Sequence, residues 1–226
     1  MLKSFKYLFF PEYCSGCDIL LHPNEKSICI KCLHNIPYTD FHLHKNNLLT
    51  DLFYERLDVK HATSLCYFNK GNVVQKIIHN LKFHKHRKTA EILGEILAYK
   101  LKKTPFYNNI SFIVPIPLHN KRQIERGYNQ SEMFAKGISN ILQIPLDTEL
   151  LFRNKYSKPQ TLINYTERIE NVENIFLTNN KLDYSNKTIL LVDDVVTSGA
   201  TLVSAGNTII KNTNANILVA TIAFVI

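Results

Sequence analysis

The sequence predicts an α/β fold in which helices flank a mostly parallel sheet, preceded by a small N-terminal module with four cysteines. Three observations support this prediction. Apolar stretches of strand length alternate with stretches of helical periodicity, as in parallel sheets. An apolar run at 189–192 ends in two aspartates, and two Cys-x-x-Cys pairs lie within the first 40 of the 226 residues.

The elements are predicted from the spacing of apolar residues. Strands are expected over 61–68, 111–118, 146–153, 188–192 and 217–226. Apolar residues recur at helical spacing over 73–81, 93–101 and 133–142, and a further helix is expected from Ala200–Thr201 to about 211. Because strands and helices alternate along the chain, most strands should pair in parallel.

Composition and charge restrict the classes of partner. Apolar residues make up 45% of the chain and charged residues 20%, which excludes wholesale disorder. The chain holds 27 Lys and Arg against 19 Asp and Glu, giving a formal net charge of +8. This balance indicates an anionic partner, and it is compatible with nucleic acid, a phosphorylated metabolite or an acidic lipid.

No segment is predicted to cross a membrane. The longest apolar stretch, ILVATIAFVI at 217–226, has ten residues, whereas a spanning helix needs about 20. The apolar patch near the start ends at Pro11 and lacks the hydrophobic region of an export signal. We therefore expect a cytoplasmic protein whose cysteines do not form a disulfide framework.

Four of the five cysteines form two Cys-x-x-Cys pairs, CSGC at 14–17 and CIKC at 29–32, with eleven residues between the pairs. Two thiolates three positions apart can face one ion across a tight turn, and two such turns supply a tetrahedral shell of sulfurs. This pattern predicts a structural Zn²⁺ site with the ligands Cys14, Cys17, Cys29 and Cys32. Iron accepts the same ligands, so the identity of the metal stays open.

These features divide the chain into two predicted domains. Residues 1–40 would form a zinc-ribbon-like module, in which the metal supplies folding energy that so short a segment lacks. Residues 41–226 would form the α/β domain, with Cys66 in its apolar core.

The most informative stretch is TILLVDDVVTSGATLVSAG, residues 188–206. It predicts a buried strand that ends at Asp193 and Asp194, at the sheet edge where open α/β folds bind ligands. Gly199 permits close approach of the backbone, and amides at the start of the next helix form a cradle for an anion. Neighbouring hydroxyl groups add donors, on Thr197, Ser198 and Thr201. The carboxylates would face sugar hydroxyls or a divalent cation, so the stretch predicts a site for a ribose 5-phosphate.

Two basic segments are candidates for contact with nucleic-acid phosphates. LKFHKHRK at 81–88 offers Phe83 for base stacking together with four cations, Lys82, Lys85, Arg87 and Lys88. KRQIERGYNQ at 121–130 offers Arg122, Arg126 and Tyr128, the last as a second stacking platform. A simpler interpretation stays open for both: the charges lie on a solvated helix face in the first segment and decorate a helix start in the second.

DDVVTSGAT at 193–201 resembles the phosphoribosyl pyrophosphate (PRPP) motif of type I phosphoribosyltransferases. The double Cys-x-x-Cys and the segments 114–138 and 153–176 resemble the ComF family in particular. The resemblance implies a type I phosphoribosyltransferase-like domain behind an N-terminal zinc finger. It also implies, for several bacteria, a role in uptake of single-stranded DNA during natural competence (transformation).

The resemblance implies roles for individual residues. Asp193 and Asp194 would hold ribose hydroxyls and Mg²⁺, and the 5-phosphate would lie against Thr197, Ser198, Gly199, Ala200 and Thr201. Arg122 and Arg126, with Gly127 as a hinge, resemble the mobile loop that closes over pyrophosphate in transferases. In an enzyme, the catalytic residues would be Arg126, Asp193 and Asp194. VPIP at 114–117 falls where transferases contact pyrophosphate, but its two prolines leave few backbone donors.

Two functions follow from these features. In the first, a ComF-type protein binds PRPP or a related ribose 5-phosphate and single-stranded DNA, and its zinc module docks on a competence helicase or DNA channel. In the alternative, an active phosphoribosyltransferase transfers ribose 5-phosphate from Mg-PRPP to an unidentified nitrogen acceptor. The sequence does not decide whether the protein is an enzyme, because no segment identifies an acceptor site.

Overall fold

The strands lie in two sheets of different size. This computed structural model describes residues 11–83, 86–153, 175–179 and 181–226, and its strands are β1 (Val59–Phe68), β2 (Phe112–Pro115), β3 (Leu151–Arg153), β4 (Phe176–Thr178), β5 (Thr188–Val196) and β6 (Asn216–Val225). Four strands form a parallel sheet in the order β1–β6–β5–β2, whereas β3 and β4 pair antiparallel. The predicted α/β fold with a mostly parallel sheet is therefore confirmed.

Helices cover both faces of the parallel sheet. They are α1 (Ile30–His34), α2 (Leu48–Phe53), α3 (Val73–Phe83), α4 (Arg87–Leu101), α5 (Asn120–Arg126), α6 (Gln130–Leu142) and α7 (Ala200–Thr213), with 3₁₀ turns at Phe41–Leu43 and Pro105–Tyr107. Helices α3, α4 and α6 contribute to one buried layer, and α2 and α7 contribute to the other. Among the described helices, none has both the length and the apolarity that crossing a membrane requires.

Strand β5 is buried on both sides, which explains its unbroken apolar sequence. Ile189 and Leu191 belong to the layer that includes α2 and α7, while Leu190 and Val192 belong to the opposite layer. Central strands of parallel sheets have this character because helices cover both faces. The two aspartates thus follow directly on a fully buried segment, residues 189–192.

Two glycines allow α4 and α6 to cross at very short range. A Cβ atom at Gly94 would lie 2.1 Å from the carbonyl oxygen of Phe134, and one at Gly137 would lie 2.0 Å from that of Glu91. No side chain fits such a gap, so the two helix backbones are in direct contact. This crossing fixes the position of the first turn of α6, which carries Ser131.

The cysteine segment shares a buried core with the helices of the sheet. Cys14, Ile28 and Cys32 belong to the same apolar cluster as α3 and α4. The side-chain amide of Asn80, on α3, donates a 2.9 Å hydrogen bond to the carbonyl oxygen of Ser15. The division of the chain at residues 40 and 41 stays a prediction.

The strand predicted over 111–118 is shorter in the structure and ends at Pro115. The chain then turns into α5, because Pro117 has no amide to continue the ladder. His119 caps this helix, and its ring nitrogen Nδ1 accepts a 3.3 Å hydrogen bond from the amide of Lys121.

Two other strands also differ in their limits. Of the predicted 146–153 only the last three residues form a strand, since Asp147 Oδ1 accepts hydrogen bonds from the amides of Glu149 and Leu150 and holds a turn there. Strand β5 continues beyond 192 to Val196, so the two aspartates lie within the strand rather than after it.

Gly94→Ala is expected to lower the free energy of unfolding by about 1–3 kcal/mol, because the added methyl group would force α4 and α6 apart. In an open helix the same change adds about 1 kcal/mol of stability, so the sign of the effect tests the close crossing. Urea denaturation followed by circular dichroism measures it. Tyr99→Ala, on the exposed side of α4, is the control, and a Gly94→Ala protein as stable as the control would contradict the prediction.

Candidate functional site

The predicted phosphate loop lies between β5 and α7. Residues 197–199 connect the two elements, and Gly199 has a left-handed backbone with φ of +72°. A Cβ atom at Gly199 would also lie 3.0 Å from Cε1 of Phe53. Both facts require glycine here. With Asp193, residues 195–202 line a small cavity of about 40 Å³.

An arginine from outside the loop supports it. The guanidinium of Arg56 donates a 2.8 Å hydrogen bond to the carbonyl oxygen of Ser198 and a 3.2 Å bond to that of Leu52. The first amides of α7 have no acceptor inside the helix, as at every helix start. The loop therefore has the geometry of an anion cradle, with a cation holding its outer side.

The two aspartates of β5 are half-buried and surrounded by hydrogen-bond donors. Asp193 Oδ1 accepts a 2.9 Å bond from the hydroxyl of Ser131 and another from the amide of Asp194. Asp194 Oδ1 accepts a 2.7 Å bond from the amide of Val195, and Asp194 Oδ2 lies 3.8 Å from Nζ of Lys82. This acidic pair brings together residues from three elements, α3, α6 and β5.

Burial and the neighbouring negative charge of Asp194 raise the pKa of Asp193 from 3.8 to about 7. The bonds from the Asp194 amide and from Ser131 oppose this rise, as does the positive charge of Arg153. Asp193 consequently gains or loses its proton near neutral pH.

Arg153 and Ser131 are site residues that the sequence analysis did not assign. Arg153, on β3, donates a 3.1 Å hydrogen bond from Nε to the carbonyl oxygen of Pro117, and its guanidinium lies 5.0 Å from the ring centroid of Phe176. Burial and the positive charge of Arg122 lower the pKa of Arg153, while Asp193 raises it. Ser131 had a usable signal, because it lies in the first turn of a helix whose start, Asn129-Gln130-Ser131, is rich in hydrogen-bonding side chains.

Tyr128 anchors the end of α3 and is only 4% exposed. Its hydroxyl donates a 2.5 Å hydrogen bond to the carbonyl oxygen of Leu81, and the guanidinium of Arg87 lies 5.3 Å from the centroid of its ring. Burial raises the pKa of Tyr128 to about 12. The structure contradicts the expectation that Tyr128 stacks on a base, since its ring is enclosed.

The other predicted nucleic-acid contacts occupy different environments. Lys82 faces the acidic pair, and the half-buried Arg126 donates a 2.8 Å hydrogen bond to Gln130 Oε1. Three exposed cations remain at the rim of this region: Arg87, Lys88 and Arg122. Arg87 donates to the carbonyl oxygen of Gly127, and Lys88 pairs with Glu91. Lys85 lies outside the described residues.

The segment expected to act as a mobile loop is helical. Residues 120–126 form α5, and Gly127 ends it in a left-handed conformation with φ of +71°. The simpler interpretation, in which these arginines decorate a helix, describes the structure.

The loop after β2 offers carbonyl oxygens rather than amides. The amide of Ile116 donates a 2.8 Å hydrogen bond to the carbonyl oxygen of Val192, and both neighbouring residues are prolines. The carbonyl oxygens of Ile116 and Pro117 accept bonds from Asn129 and Arg153. Residues 115–117 therefore present no amide to a pyrophosphate.

The four cysteines of the N-terminal segment form a cluster in which all four Sγ atoms lie within 4.8 Å of one another. Cys14 Sγ accepts hydrogen bonds of 3.3 and 3.2 Å from the amides of Gly16 and Cys29, and Cys29 Sγ accepts one of 3.4 Å from the amide of Cys32. Such bonds stabilise thiolate charge. The donor set thus fits a metal such as zinc, with no ligand position left for water.

Three further observations bear on metals. Cys66 is buried, and its Sγ donates a 3.1 Å hydrogen bond to the carbonyl oxygen of Ile222, which confirms its place in the core. Among the described residues, the cysteine cluster is the only group of three or more metal-binding side chains. The acidic pair has two carboxylates beside an ammonium group, so its residues do not fit a Mg²⁺ ion held by protein ligands alone.

Comparisons with known proteins agree with this arrangement. Residues 128–225 match the family model of the phosphoribosyl transferase domain. The chain is 27% identical over 146 residues to the DNA utilization protein YhgH of Escherichia coli O157:H7, covering 63% of each protein. It is 36% identical over 91 residues to competence protein F of Haemophilus influenzae, covering 40% of each. Competence protein ComFC of Bacillus subtilis is 41% identical over 91 residues, which is 40% of this chain and 34% of that protein.

Adenine phosphoribosyltransferase from Leishmania tarentolae superimposes with a TM-score of 0.40 and 12% identity, over 84% of this chain and 94% of that one. The chain spans less than two thirds of the length of the relatives given above. The sheet, the loop after β5 and the family model define the class: a phosphoribosyltransferase-type α/β domain. Within that class, its relatives are named competence protein F, competence protein ComFC and DNA utilization protein YhgH, which supports a ComF-family assignment.

Cys29→Ser is expected to reduce bound metal from about one ion per chain to well below half, because three thiolates and a hydroxyl hold a soft metal poorly. Elemental analysis of the purified protein measures the metal content. Cys66→Ala is the matched control: it removes a buried sulfur outside the cluster and should lower stability while keeping the metal. Equal metal content in both variants would contradict the prediction.

The raised pKa of Asp193 predicts pH-dependent stability. Between 3.8 and about 7 the folded protein holds a proton that the unfolded chain has released, so the free energy of unfolding falls as the pH rises through this window. Asp193→Asn removes this titration, and the variant should therefore gain stability relative to wild type from about pH 5 to about pH 8.

Urea denaturation at both pH values measures the difference. Asp183→Asn is the control, since the amide of Ser185 lowers the pKa of Asp183 and this exposed carboxyl should show no such gain. A constant difference between wild type and Asp193→Asn across the window would show that the carboxyl has its ordinary pKa.

Proposed function

We propose that the protein binds PRPP or a related ribose 5-phosphate and acts in the cytoplasm in the uptake or use of single-stranded DNA. The observation that carries the proposal is the juxtaposition of the phosphate loop with the acidic pair at the carboxyl end of β5. The family model and the names of the relatives support it, since those proteins are named for competence and DNA utilization.

The proposed binding mode follows from the chemistry of the two parts. The 5-phosphate would accept hydrogen bonds from the amides and hydroxyls of residues 197–201, at the positive end of α7. The ribose hydroxyls would donate hydrogen bonds to Asp193 and Asp194. These carboxylates already accept hydrogen bonds from the hydroxyl of Ser131 and the amide of Val195, respectively. Mg²⁺ would enter on the diphosphate of PRPP rather than on protein ligands.

We propose binding rather than transfer as the activity. Catalysis of pyrophosphate release requires donors aimed at the leaving group. The loop after β2 presents carbonyl oxygens there, and Arg126 is engaged with Gln130. No observation favours the alternative of an active transferase.

For single-stranded DNA we propose the surface formed by Arg87, Lys88 and Arg122, which are exposed cations. Of these, Arg122 is close enough to Arg153 to lower its pKa, and Arg153 also interacts with Asp193. Such cations neutralise backbone phosphates and make binding salt-dependent. The cysteine module would supply a surface for a helicase or channel partner. Its exposed apolar side chains support that role: Tyr13, Ile19, Leu20 and Ile30.

A pair of reciprocal variants tests the proposal. Asp193→Asn with Asp194→Asn should abolish binding of Mg-PRPP in calorimetry, because the ribose hydroxyls lose their charged acceptors, and should leave oligonucleotide affinity unchanged. Arg122→Ala should leave PRPP affinity unchanged and reduce the slope of log affinity against log salt by about 1.

Pyrophosphate release is monitored in the same titrations. Joint loss of both ligands in the double variant would mean a single shared site. Release of pyrophosphate on addition of a base would favour the transferase, and an unchanged salt slope would remove Arg122 from the DNA surface.

A further inference from the structure

Lys82 lies against the acidic pair rather than on a basic outer surface. Its Nζ is 3.8 Å from Asp194 Oδ2, and its side chain is 28% exposed, whereas that of Lys88 is 55% exposed. The carboxylate it faces is itself only 18% exposed. This ion pair is therefore shielded from solvent more than the other ion pairs of the described residues.

The backbone beside Lys82 is fixed from a second helix. The carbonyl oxygen of Leu81 accepts hydrogen bonds from the hydroxyl of Tyr128 and, at 3.2 Å, from Nε2 of Gln130. The guanidinium of Arg126 in turn donates a 2.8 Å hydrogen bond to Oε1 of Gln130. These contacts hold the last turn of α3 in place, so the Lys82 ammonium is directed at the end of β5.

The hydrogen bonds on the acidic pair explain why a cation is needed there. Asp193 Oδ1 accepts two bonds and Asp194 Oδ1 accepts one, all from neutral donors. The described contacts of Asp194 Oδ2 include one charged group, the ammonium of Lys82. A carboxylate this close to an anionic ligand requires a neighbouring positive charge, because neutral donors do not cancel its repulsion of the phosphate.

We propose, building on the function proposed above, that Lys82 is the built-in cation of the sugar-phosphate site and lets a ribose 5-phosphate monoester bind without a divalent metal. Lys82 is then a specificity-determining residue of this site. It is not part of the DNA-binding surface, in contrast to the expectation from its basic segment.

Calorimetric titration with ribose 5-phosphate tests the proposal, in buffer passed over a metal-chelating resin and again with Mg²⁺ added. Soluble chelators are avoided because they would also compete for the metal of the cysteine cluster. Wild type should bind with the same affinity in both buffers. Lys82→Met, which keeps the aliphatic stem, should bind about tenfold more weakly without metal, and Mg²⁺ should restore part of the loss.

Two further variants separate charge from structure. Lys82→Arg should retain metal-free binding, and it also serves if Lys82→Met does not fold. Lys76→Met removes another lysine of α3, one that pairs with Asp18, and should leave the affinity for ribose 5-phosphate unchanged. The affinity of Lys82→Met for an oligonucleotide, and its salt dependence, should equal those of wild type.

Wild-type binding that requires Mg²⁺ would overturn the proposal, and so would an unchanged metal-free affinity in Lys82→Met. In either case the proposed function would stand, because the phosphorylated sugar still binds. If wild type binds Mg-PRPP but no ribose 5-phosphate in either buffer, the role of Lys82 is overturned and the proposed function stands. If wild type binds neither ligand, both are overturned.

Discussion

The cost of burying two adjacent carboxylates at the end of β5 shapes the surrounding structure. An ionised carboxylate removed from water is costly unless charge or hydrogen bonds compensate it. Compensation comes from α6 through Ser131, from α3 through Lys82 and from β3 through the charge of Arg153. Three elements far apart in sequence are thus directed at one point, and a residual cost remains in the raised pKa of Asp193.

The local part of the site was predictable, and the long-range part was not. The strand, the glycine in the left-handed conformation and the helix starting at Ala200 follow from consecutive residues with characteristic preferences. Lys82 on α3 and Arg153 on β3 reach the site through the packing of elements distant from β5 in sequence, which periodicity does not reveal. Tyr128 was misassigned because sequence alone does not tell a buried, hydrogen-bonded tyrosine from an exposed stacking platform.

The loop after β2 shows how a fold can keep a ligand site while lacking groups for a reaction. Its prolines were visible in the sequence, and the structure adds that the amide between them, that of Ile116, donates to Val192 of β5. The carbonyl oxygens of Ile116 and Pro117 accept hydrogen bonds from Asn129 and Arg153, so this part of the loop has a structural role. In the function we propose, recognition of a phosphorylated sugar and chemistry on it would therefore depend on separate segments.

Helix α3 contacts both the cysteine segment, through Asn80, and the acidic pair, through Lys82. Gly16 lies so close to Val73 that a Cβ atom there would be 2.8 Å from Cγ2 of the valine, and Asn80 binds the carbonyl oxygen of Ser15. Two residues beyond Asn80 is Lys82. Deletion of residues 1–40 would expose one side of this helix to solvent. It would also leave the side-chain amide of Asn80 without its acceptor, the carbonyl oxygen of Ser15. The cysteine segment therefore supports the helix whose last turn places Lys82 beside Asp194.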